Sequence, residues 1–458
     1  MKSVALHNLG CKVNGYEIEV MQQILQEKGY KIVPFDQKAD IYIINTCTVT
    51  NIADRKSRQM RHRAKKQNPN AVVVAAGCYV EIGAEQVKAD PAVDLAIGNN
   101  RKKDIAEILE AYLAGRESTE DKSALACSGH EWDPDGTMAI PMDDGQHNMY
   151  EEMHLRGTTE HTRAYIKIQD GCNQFCTYCI IPYARGRVRS RKEEDILLEV
   201  KNLALLGCSE IVLTGIHISS YGLDRGGREL KELLKKLNEI RGIKRIRLGS
   251  LEPGIITEQF IRELSNLEKL CPHFHLSLQS GCDETLRRMN RHYTTGEYSE
   301  KVKLIRQFFE NPAVTTDVIV GFPGETEEEF IQTESFLGEI GFYEMHVFKY
   351  SKRQGTKAAV MPGQVPETIK NERSARLIAL NEEMELSYKK EWLGKNVEVL
   401  FEEQIESNGN LLWVGHTKEY LKVAAETGEN LQGKIRMGTI TGFFPGDFPY
   451  LSLNFADR

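Results

Sequence analysis

Apolar and polar positions follow two different periods through the first part of the chain. The apolar runs 41–44 and 71–76 have the length of buried strands, whereas apolar residues recur at helical spacing over 16–28 and 52–66. Strands that alternate with helices are typical of a parallel sheet covered by helices on both faces. We therefore predict a doubly wound α/β domain over residues 1–116.

The same alternation returns at residue 163. Six runs predict strands, at 164–168, 210–214, 244–248, 274–278, 314–320 and 343–349. Helical patterns separate them, for example over 193–206 and 325–337. Six strand–helix units suit an incomplete (β/α)6 barrel, whose functional site lies at the carboxyl ends of the strands. We assign this second domain to residues 158–388.

The end of the chain changes to short alternating strands. Gly or Asn separates the predicted strands 397–401, 411–414, 420–423 and 435–441. This pattern is typical of a small all-β barrel, which we assign to residues 389–458. Residues 117–157 show little periodicity and are predicted to be a linker or an insertion, in which we give Cys127 no role.

Composition narrows the class of protein. The chain has 458 residues, of which 41% are hydrophobic and 27% charged, as in a soluble globular protein. No apolar run approaches the ~20 residues that a membrane span needs, and the N-terminus lacks the long apolar core of a signal peptide. We predict a cytoplasmic protein without membrane contact. The net charge of −7 argues against broad polyanion binding, so any nucleic acid must meet local basic patches.

Three cysteines lie close together after the first predicted barrel strand. Cys172, Cys176 and Cys179 have C-x3-C-x2-C spacing, and three thiolates on one loop can hold three irons of a cubane cluster and leave the fourth iron open. A structural zinc site wants four ligands, and His161 and Cys208 are poorly placed to supply the fourth. We favour a cluster over zinc and over a disulfide.

Three more cysteines lie singly in the first domain. Cys11, Cys47 and Cys78 each follow the carboxyl end of a predicted strand. Those ends share one edge of a parallel sheet, so the three thiols can converge on a second cluster. Because free cysteine is often a core residue, burial is the alternative interpretation. Three such cysteines at three strand ends favour the cluster.

Basic residues are concentrated in two segments. One is the predicted helix after Cys47, and the other follows the three-cysteine loop. Each could be a solvated face, or it could contact phosphates or carboxylates of a ligand. The residues predicted to bind RNA are Arg55, Lys56, Arg58, Arg185, Arg187, Arg189 and Arg191.

The three-cysteine loop, with Tyr178 just before its last cysteine, resembles the loop of the radical S-adenosylmethionine (SAM) superfamily. The resemblance implies that SAM binds the open iron and that one electron releases a 5′-deoxyadenosyl radical. Small and polar residues at the predicted strand ends fit a SAM pocket in front of that loop. The predicted SAM-binding residues are Tyr178, Thr214, Gly215, His217, Ser250, Glu252, Gln279 and Gly321.

Four further motifs resemble the methylthiotransferases within that superfamily. They are LGCKVNGYE at 9–17, NTCTVT at 45–50, GCY at 77–79 and YSKRQGT at 350–356. The resemblance implies two [4Fe-4S] clusters, the second held by Cys11, Cys47 and Cys78 and carrying the sulfur to be inserted. SAM would serve as methyl donor and as radical source, with Cys172, Cys176 and Cys179 as the catalytic ligands. The C-terminal region resembles the TRAM module, an OB-like RNA-binding barrel.

The residues of the first motif resemble those of the methylthiotransferase branch that acts on N6-threonylcarbamoyladenosine of tRNA, at the base 3′ of the anticodon. The resemblance implies methylthiolation of C2 of that base, with an electron donor such as flavodoxin or ferredoxin. Two alternatives within the family act on isopentenyladenosine in tRNA or on an aspartate of a ribosomal protein. An iron–sulfur electron-transfer or sensor protein with an RNA-binding tail is the alternative outside enzymes.

Overall fold

The structure, a computed structural model, describes residues 1–117, 149–157, 162–407, 409–444 and 450–455. Most of the predicted linker, with Cys127, lies outside the described residues. Within the described part of the chain, no helix is both long enough and apolar enough to cross a bilayer.

The first region is a five-stranded parallel sheet with the order β2-β1-β3-β4-β5. Its strands are β1 (Ser3–Asn8), β2 (Lys31–Ile32), β3 (Ile41–Thr46), β4 (Val72–Gly77) and β5 (Leu95–Ile97). Its helices are α1 (Lys12–Glu27), α2 (Asn51–Gln67), α3 (Cys78–Ile82), α4 (Ala84–Lys88) and α5 (Ile105–Glu117). The predicted parallel sheet is confirmed.

Alternate side chains of this sheet enter two different cores. Ile41 and Ile43 of β3 pack with residues of α1 and α5, whereas Tyr42 and Ile44 pack with Ala64 of α2 on the opposite face. Helix α2 begins within one residue of the predicted start. The Thr50 hydroxyl caps it, accepting a hydrogen bond from the backbone N–H of Ala53 at 3.2 Å.

The central region holds six parallel strands in two sheets, β7-β6-β8-β9 and β10-β11-β12, with the short β7 antiparallel to β6. The strands are β6 (Arg163–Asp170), β7 (Arg189–Ser190), β8 (Glu210–Gly215), β9 (Arg245–Leu248), β10 (His273–His275), β11 (Ala313–Val320) and β12 (Glu344–Lys349). The helices are α6 (Ile181–Arg185), α7 (Glu193–Leu205), α8 (Leu230–Glu239), α9 (Glu258–Ser265), α10 (Asp283–Arg288), α11 (Thr295–Phe308), α12 (Glu327–Ile340), α13 (Lys357–Val360) and α14 (Glu367–Lys390). Isolated bridges at Ile246–Leu270 and Leu251–Leu276 connect the two sheets.

One predicted strand, 274–278, is shorter than expected, since β10 ends at His275. Beyond His275, the Thr316 hydroxyl replaces backbone hydrogen bonds of the ladder. It donates to the Leu276 carbonyl at 2.5 Å and accepts from the Leu278 N–H at 3.0 Å. A side chain thus satisfies backbone groups that a regular ladder would have paired.

The strands of the central region are apolar on one face and polar on the other. Val314, Val318 and Val320 of β11 pack in the same core as Phe330 and Leu337 of α12. Thr315 and Asp317 therefore face the opposite, concave side, because successive strand residues point to opposite faces. The concave side is called the lumen below.

The C-terminal region is a closed five-stranded barrel with the order β13-β14-β15-β17-β16. Its strands are β13 (Asn396–Ser407), β14 (Asn410–Thr417), β15 (Lys422–Glu426), β16 (Ile435–Phe443) and β17 (Leu451–Phe455). The sequence analysis predicted four of these strands and missed β17. The alternation of apolar and polar residues over 451–455 was the available signal.

Tyr420 fastens the C-terminal barrel to the amino ends of the central strands. Its ring stacks on His273, with centroids 4.9 Å apart, and the guanidinium groups of Arg163 and Arg247 lie 5.3 and 4.7 Å from its centroid. Arg245 adds a hydrogen bond to the Glu398 carbonyl at 2.7 Å. The small barrel therefore lies at the end of the lumen opposite the three-cysteine loop.

Candidate active site

The three-cysteine loop leaves the carboxyl end of β6 through Gly171. This glycine has φ +70°, and a Cβ on it would overlap the Arg187 carbonyl, so no other residue fits. The Cys172 N–H donates to the Gly186 carbonyl at 3.1 Å, and the Cys179 N–H donates to the Cys176 carbonyl at 2.9 Å. Backbone bonds inside and beside the loop thus hold the three thiols in place.

The surroundings of this triad are polar but well covered. Cys176, 9% exposed, accepts a hydrogen bond from Arg291 Nη1 at 3.2 Å. Burial, with a contribution from Cys176, raises the pKa of the Cys172 thiol to about 12. Buried thiols of this kind become thiolates when a metal binds them, and a nearby guanidinium favours the anionic form. This donor set fits three irons of a cubane cluster.

Glu252, itself predicted to bind SAM, lies beside the loop and next to His217, another predicted SAM-binding residue. Its Oε2 accepts hydrogen bonds from Gln174 Nε2 of the loop at 2.7 Å and lies 3.2 Å from His217 Nε2. Burial alone would raise the pKa of Glu252, but His217 and Arg291 hold it below its usual value. The site therefore contains an ionised carboxylate directly beside the cluster loop.

Other predicted pocket residues lie at neighbouring strand ends. Thr214 is buried in β8, and Ser250, after β9, is exposed. Gln279 has φ +75° and bridges to β11, donating its N–H to the Asp317 carbonyl at 2.9 Å. Tyr178 lies edge-on to Phe322, with ring centroids 6.4 Å apart. Their contact with SAM stays a prediction.

Two of the residues predicted to bind SAM, Gly215 and Gly321, are glycines that the fold itself requires. A Cβ on Gly215 would lie 3.0 Å from the Gln169 carbonyl oxygen, and a Cβ on Gly321 would overlap Lys370 of α14. Gly321 has φ +70° and donates its N–H to Glu325 Oε2 at 2.6 Å. Close packing and a turn thus require glycine at both positions, and contact of Gly215 and Gly321 with SAM stays a prediction.

The second cysteine triad forms at one edge of the N-terminal sheet. Cys11 precedes α1, Cys47 follows β3 and Cys78 begins α3 directly after β4. Because β1, β3 and β4 are parallel neighbours, their carboxyl ends bring the three residues together. Burial, with smaller contributions from the charges of Cys78 and Cys11, raises the pKa of the Cys47 thiol to about 12. The three thiols are close enough to influence one another.

Arg185 connects this triad with the central region. It is 3% exposed, and its Nε donates to Cys78 Sγ at 3.1 Å. Its Nη1 lies 2.9 Å from Glu17 Oε1 and 3.2 Å from Asp170, while its Nη2 donates to Asn14 Oδ1 at 2.7 Å. A guanidinium with all these partners has no donor left for a tRNA.

This placement corrects the prediction of RNA contact for three of the four arginines after the loop. Arg185 is occupied as described, Arg189 is buried and donates to Asn100 at 2.9 Å, and Arg191 is buried against Glu199. Only Arg187 stays half-exposed, with its guanidinium 4.7 Å from the Phe175 ring centroid.

Among the described residues, cationic side chains outnumber ionised carboxylates in the buried layer behind the second triad. Its cations are Lys102, Lys167, Arg185 and Arg189, and its carboxylates are Glu17 and Asp170. Glu151 is a third carboxyl group near Lys167 and Lys102, and burial raises its pKa to about 7. Since unbalanced buried charge is costly, thiolates at the triad would offset this excess. The donor set and the charge both fit an anionic cluster.

Arg353, in the predicted motif 350–356, holds the N-terminal region against the central one. It donates to Thr48 Oγ1, Asn51 Oδ1 and Asp54 Oδ2, each at 2.6 Å. Arg353 and Glu17 lie in the motifs at 350–356 and 9–17, but the sequence predicted no role for either residue. Their presence in family-like motifs was the available signal.

The basic helix α2 separates into two groups of residues. Arg61 is buried and paired with Asp90 at 3.0 Å, and Lys65 pairs with Asp94 at 2.6 Å. Arg55, Lys56 and Arg58 are exposed, as contact with RNA would require. RNA binding by these three stays a prediction.

In neither cysteine triad do the three thiols lie close enough together to bind one ion. Among the described residues, the group that brings three potential metal ligands within 4.8 Å of one another is His275, Asp317 and His346. Thiolates on one zinc ion, about 2.3 Å from each sulfur, would lie closer together than this limit. The wider spacing of both triads favours clusters over zinc.

Comparisons with known proteins agree with this arrangement. Residues 166–337 match the Radical SAM superfamily, and residues 3–98 match the Uncharacterized protein family UPF0004. The threonylcarbamoyladenosine tRNA methylthiotransferase MtaB of Bacillus subtilis (strain 168) is 41% identical over 437 residues, 95% of this chain and 93% of its own length. The tRNA-2-methylthio-N(6)-dimethylallyladenosine synthase of Thermoanaerobacter sp. (strain X514) is 35% identical over 444 residues, 95% of this chain and 89% of its own length.

Among solved structures, the radical S-adenosylmethionine methyltransferase TsrM from Kitasatospora setae aligns with a TM-score of 0.56. The alignment covers 78% of this chain and 74% of that chain at 16% sequence identity. At this identity the similarity supports the α/β fold alone.

Proposed function

The chain belongs to the radical SAM methylthiotransferases, and we propose that it methylthiolates C2 of N6-threonylcarbamoyladenosine in tRNA. The observation that carries this proposal is Arg185. This arginine follows the radical SAM loop in the central region, yet it donates to Cys78 on the N-terminal region at 3.1 Å. This contact joins the segment after the loop triad to the sheet triad, which supports a reaction that brings a radical at a carbon to a sulfur carried elsewhere.

The family implies SAM and one [4Fe-4S] cluster, and we assign that cluster to Cys172, Cys176 and Cys179. We propose a second [4Fe-4S] cluster on Cys11, Cys47 and Cys78, supported by their convergence and by the cation excess behind them. When bound, these groups would supply a 5′-deoxyadenosyl radical and the methylthio unit.

The residues of the chain would bind and orient these groups. Arg291 donates to Cys176, and Arg185 donates to Cys78, so each triad has one guanidinium that favours thiolate. The carboxylate of Glu252, held by Gln174 and His217, would receive the amino group of SAM in front of the loop. The remaining pocket candidates are Tyr178, Thr214, Gly215, Ser250, Gln279 and Gly321.

The substrate assignment is supported by the relatives. Two relatives named for threonylcarbamoyladenosine are 41% and 40% identical to this chain and a third is 34% identical, whereas a relative named for dimethylallyladenosine is 35% identical. We infer that the tRNA anticodon stem-loop contacts the exposed Arg55, Lys56 and Arg58, and that Arg187 lies near the entering base. An enzyme with this substrate would work in the cytoplasm, with flavodoxin or ferredoxin as electron donor.

We further propose the domain limits 1–116, 158–388 and 389–458, joined by 117–157. The six parallel strands would form an incomplete (β/α)6 barrel, and the closed C-terminal barrel would be a TRAM-like module.

The test is mass spectrometry of tRNA nucleosides from a strain without this gene and from the same strain carrying it on a plasmid. We expect the methylthio form of threonylcarbamoyladenosine to disappear on deletion and to return with the plasmid. Loss of the methylthio form of isopentenyladenosine instead would assign the chain to the other tRNA branch. Unchanged tRNA would point to the ribosomal-protein branch. If reduced, cluster-loaded protein also fails to release 5′-deoxyadenosine from SAM, the electron-transfer alternative gains support.

A further inference from the structure

Two histidines and an aspartate meet in the lumen, on strands that carry neither cysteine triad. They are His275 of β10, Asp317 of β11 and His346 of β12, and their candidate ligand atoms all lie within 4.8 Å of one another. None of the three has a role in the proposed methylthiotransferase reaction.

The fold brings these residues together through strand register. Asp317 pairs with His346 across β11 and β12, and His275 pairs with Thr315, two residues before Asp317, across β10 and β11. All three positions lie on the concave face, because Phe274, Val318 and Met345 occupy the core on the outer face. Three adjacent strands thus present one ligand each to a common point.

The hydrogen bonds of His275 orient it as a metal ligand. Its Nδ1 lies 3.0 Å from Thr315 Oγ1, and its Nε2 lies 3.3 Å from Asp317 Oδ2. If Nδ1 carries the proton toward Thr315, the lone pair of Nε2 faces a carboxylate oxygen, and a cation between them would satisfy both. A metal-binding histidine usually donates its second ring N–H to an oxygen of a carboxylate, a backbone carbonyl or water, and here the Thr315 hydroxyl oxygen holds that position.

The third ligand leaves the site open to the lumen. His346 is exposed, and its ring lies 5.9 Å from that of His275 at an interplanar angle of 25°. Two imidazoles and one carboxylate suit a divalent first-row transition metal and leave coordination positions for water or a ligand oxygen. Lys12 is the competing cation, since its charge interacts with Asp317.

From this geometry we propose that His275, Asp317 and His346 bind a divalent transition-metal ion, for which zinc is the probe. The site is independent of the iron–sulfur clusters, because it contains no cysteine. Its ligands come from strands of the central region alone.

The experiment uses the full chain with its cysteines occupied by clusters. Cluster-loaded protein is incubated anaerobically with zinc sulfate and desalted, and zinc and iron are measured by mass spectrometry. We expect wild type to retain about one zinc per chain more than His346→Ala or Asp317→Asn, with equal iron in all three proteins. By calorimetry, zinc affinity should fall about 10-fold or more in either variant.

His292→Ala is the matched control, since it removes an exposed histidine outside the group and should leave zinc retention unchanged. His346→Ala keeps the test valid if Asp317→Asn fails to fold, because His346 is exposed. X-ray absorption at the zinc edge should show nitrogen and oxygen ligands only. Equal zinc in wild type and His346→Ala, or sulfur in the zinc shell, would overturn the proposal.

Discussion

The two cysteine triads of this chain are built in opposite ways. Cys172, Cys176 and Cys179 occupy one loop, whose backbone hydrogen bonds set their positions. Cys11, Cys47 and Cys78 come from three strand ends and meet only because β1, β3 and β4 are neighbours in the sheet. The first triad is a local structure, and the second depends on the packing of a whole domain.

Their electrostatic surroundings differ as well. The loop triad has one guanidinium, Arg291, balanced by the carboxylate of Glu252. The sheet triad adjoins a buried layer in which, within the described parts of the chain, cations outnumber ionised carboxylates, and its arginine comes from the facing region. The comparison teaches that the sheet triad, whose three cysteines lie in one region, takes its guanidinium from the facing region, whereas the loop triad has both cysteines and guanidinium in its own region.

The largest expected effect is the loss of radical formation, which should depend on the loop triad and not on the sheet triad. Cys176→Ala removes one of three ligands on the loop, so the open-iron geometry cannot form. We expect no 5′-deoxyadenosine from SAM after anaerobic reduction, measured by liquid chromatography. Cys208→Ala, a buried cysteine outside both triads, is the control and should keep activity. Substantial SAM cleavage by Cys176→Ala would contradict the assignment of the loop.

The next effect concerns the sheet triad. Cys47→Ala leaves the loop ligands intact, so we expect it to lose roughly half of the iron and to keep reductive cleavage of SAM. Methylthiolated tRNA should be absent from its products, as measured by nucleoside mass spectrometry. If this variant still forms product at the wild-type rate, the three N-terminal thiols are only core residues.

A third experiment tests whether the sheet triad depends on the facing region. Arg185→Met removes the cation that donates to Cys78, and we expect about 10- to 100-fold weaker cluster retention at the sheet triad alone. Iron content and electron paramagnetic resonance of the reduced protein measure this loss. Arg187→Met is the matched control, since Arg187 contacts Phe175 and no cysteine in the described structure. Equal iron loss in both variants would remove the special role of Arg185.

The smallest effect concerns RNA, for which the N-terminal region carries the exposed basic residues of α2. The triple variant Arg55→Gln, Lys56→Gln and Arg58→Gln should bind tRNA more weakly and with a shallower salt dependence, by about 0.7–0.9 in slope per lost phosphate contact. Filter binding over a range of salt concentrations measures this slope. Substitution of Lys301 and Lys303 on α11 by glutamine is the control. A slope equal to wild type in the triple variant would exclude α2 from the interface.

Sequence patterns predicted most of the strands and several of the longer helices, because each depends on local periodicity. Residues 41–44, for instance, lie within the buried strand Ile41–Thr46. The prediction of 274–278 overran β10, because a threonine hydroxyl on the neighbouring strand replaces the ladder there. A competing partner on a different strand cannot be seen in a local pattern.

The sequence by itself determined the loop triad, since a spacing of three and two residues fixes how far apart thiols on one loop can be. It also determined that Cys11, Cys47 and Cys78 end successive parallel strands, from which their convergence follows. Both inferences use distances along the chain or rules about sheet edges, which need no knowledge of side-chain partners.

Only the tertiary structure decided the role of the arginines after the loop. A basic run suggests an exposed patch, because arginine is rarely buried without a partner. The partner of Arg185 is Glu17, 168 positions away in the sequence, and that of Arg191 is Glu199 on α7. The burial of a charge depends on which carboxylate the folded chain places opposite it, and the same is true of His275, Asp317 and His346, which meet through strand register alone.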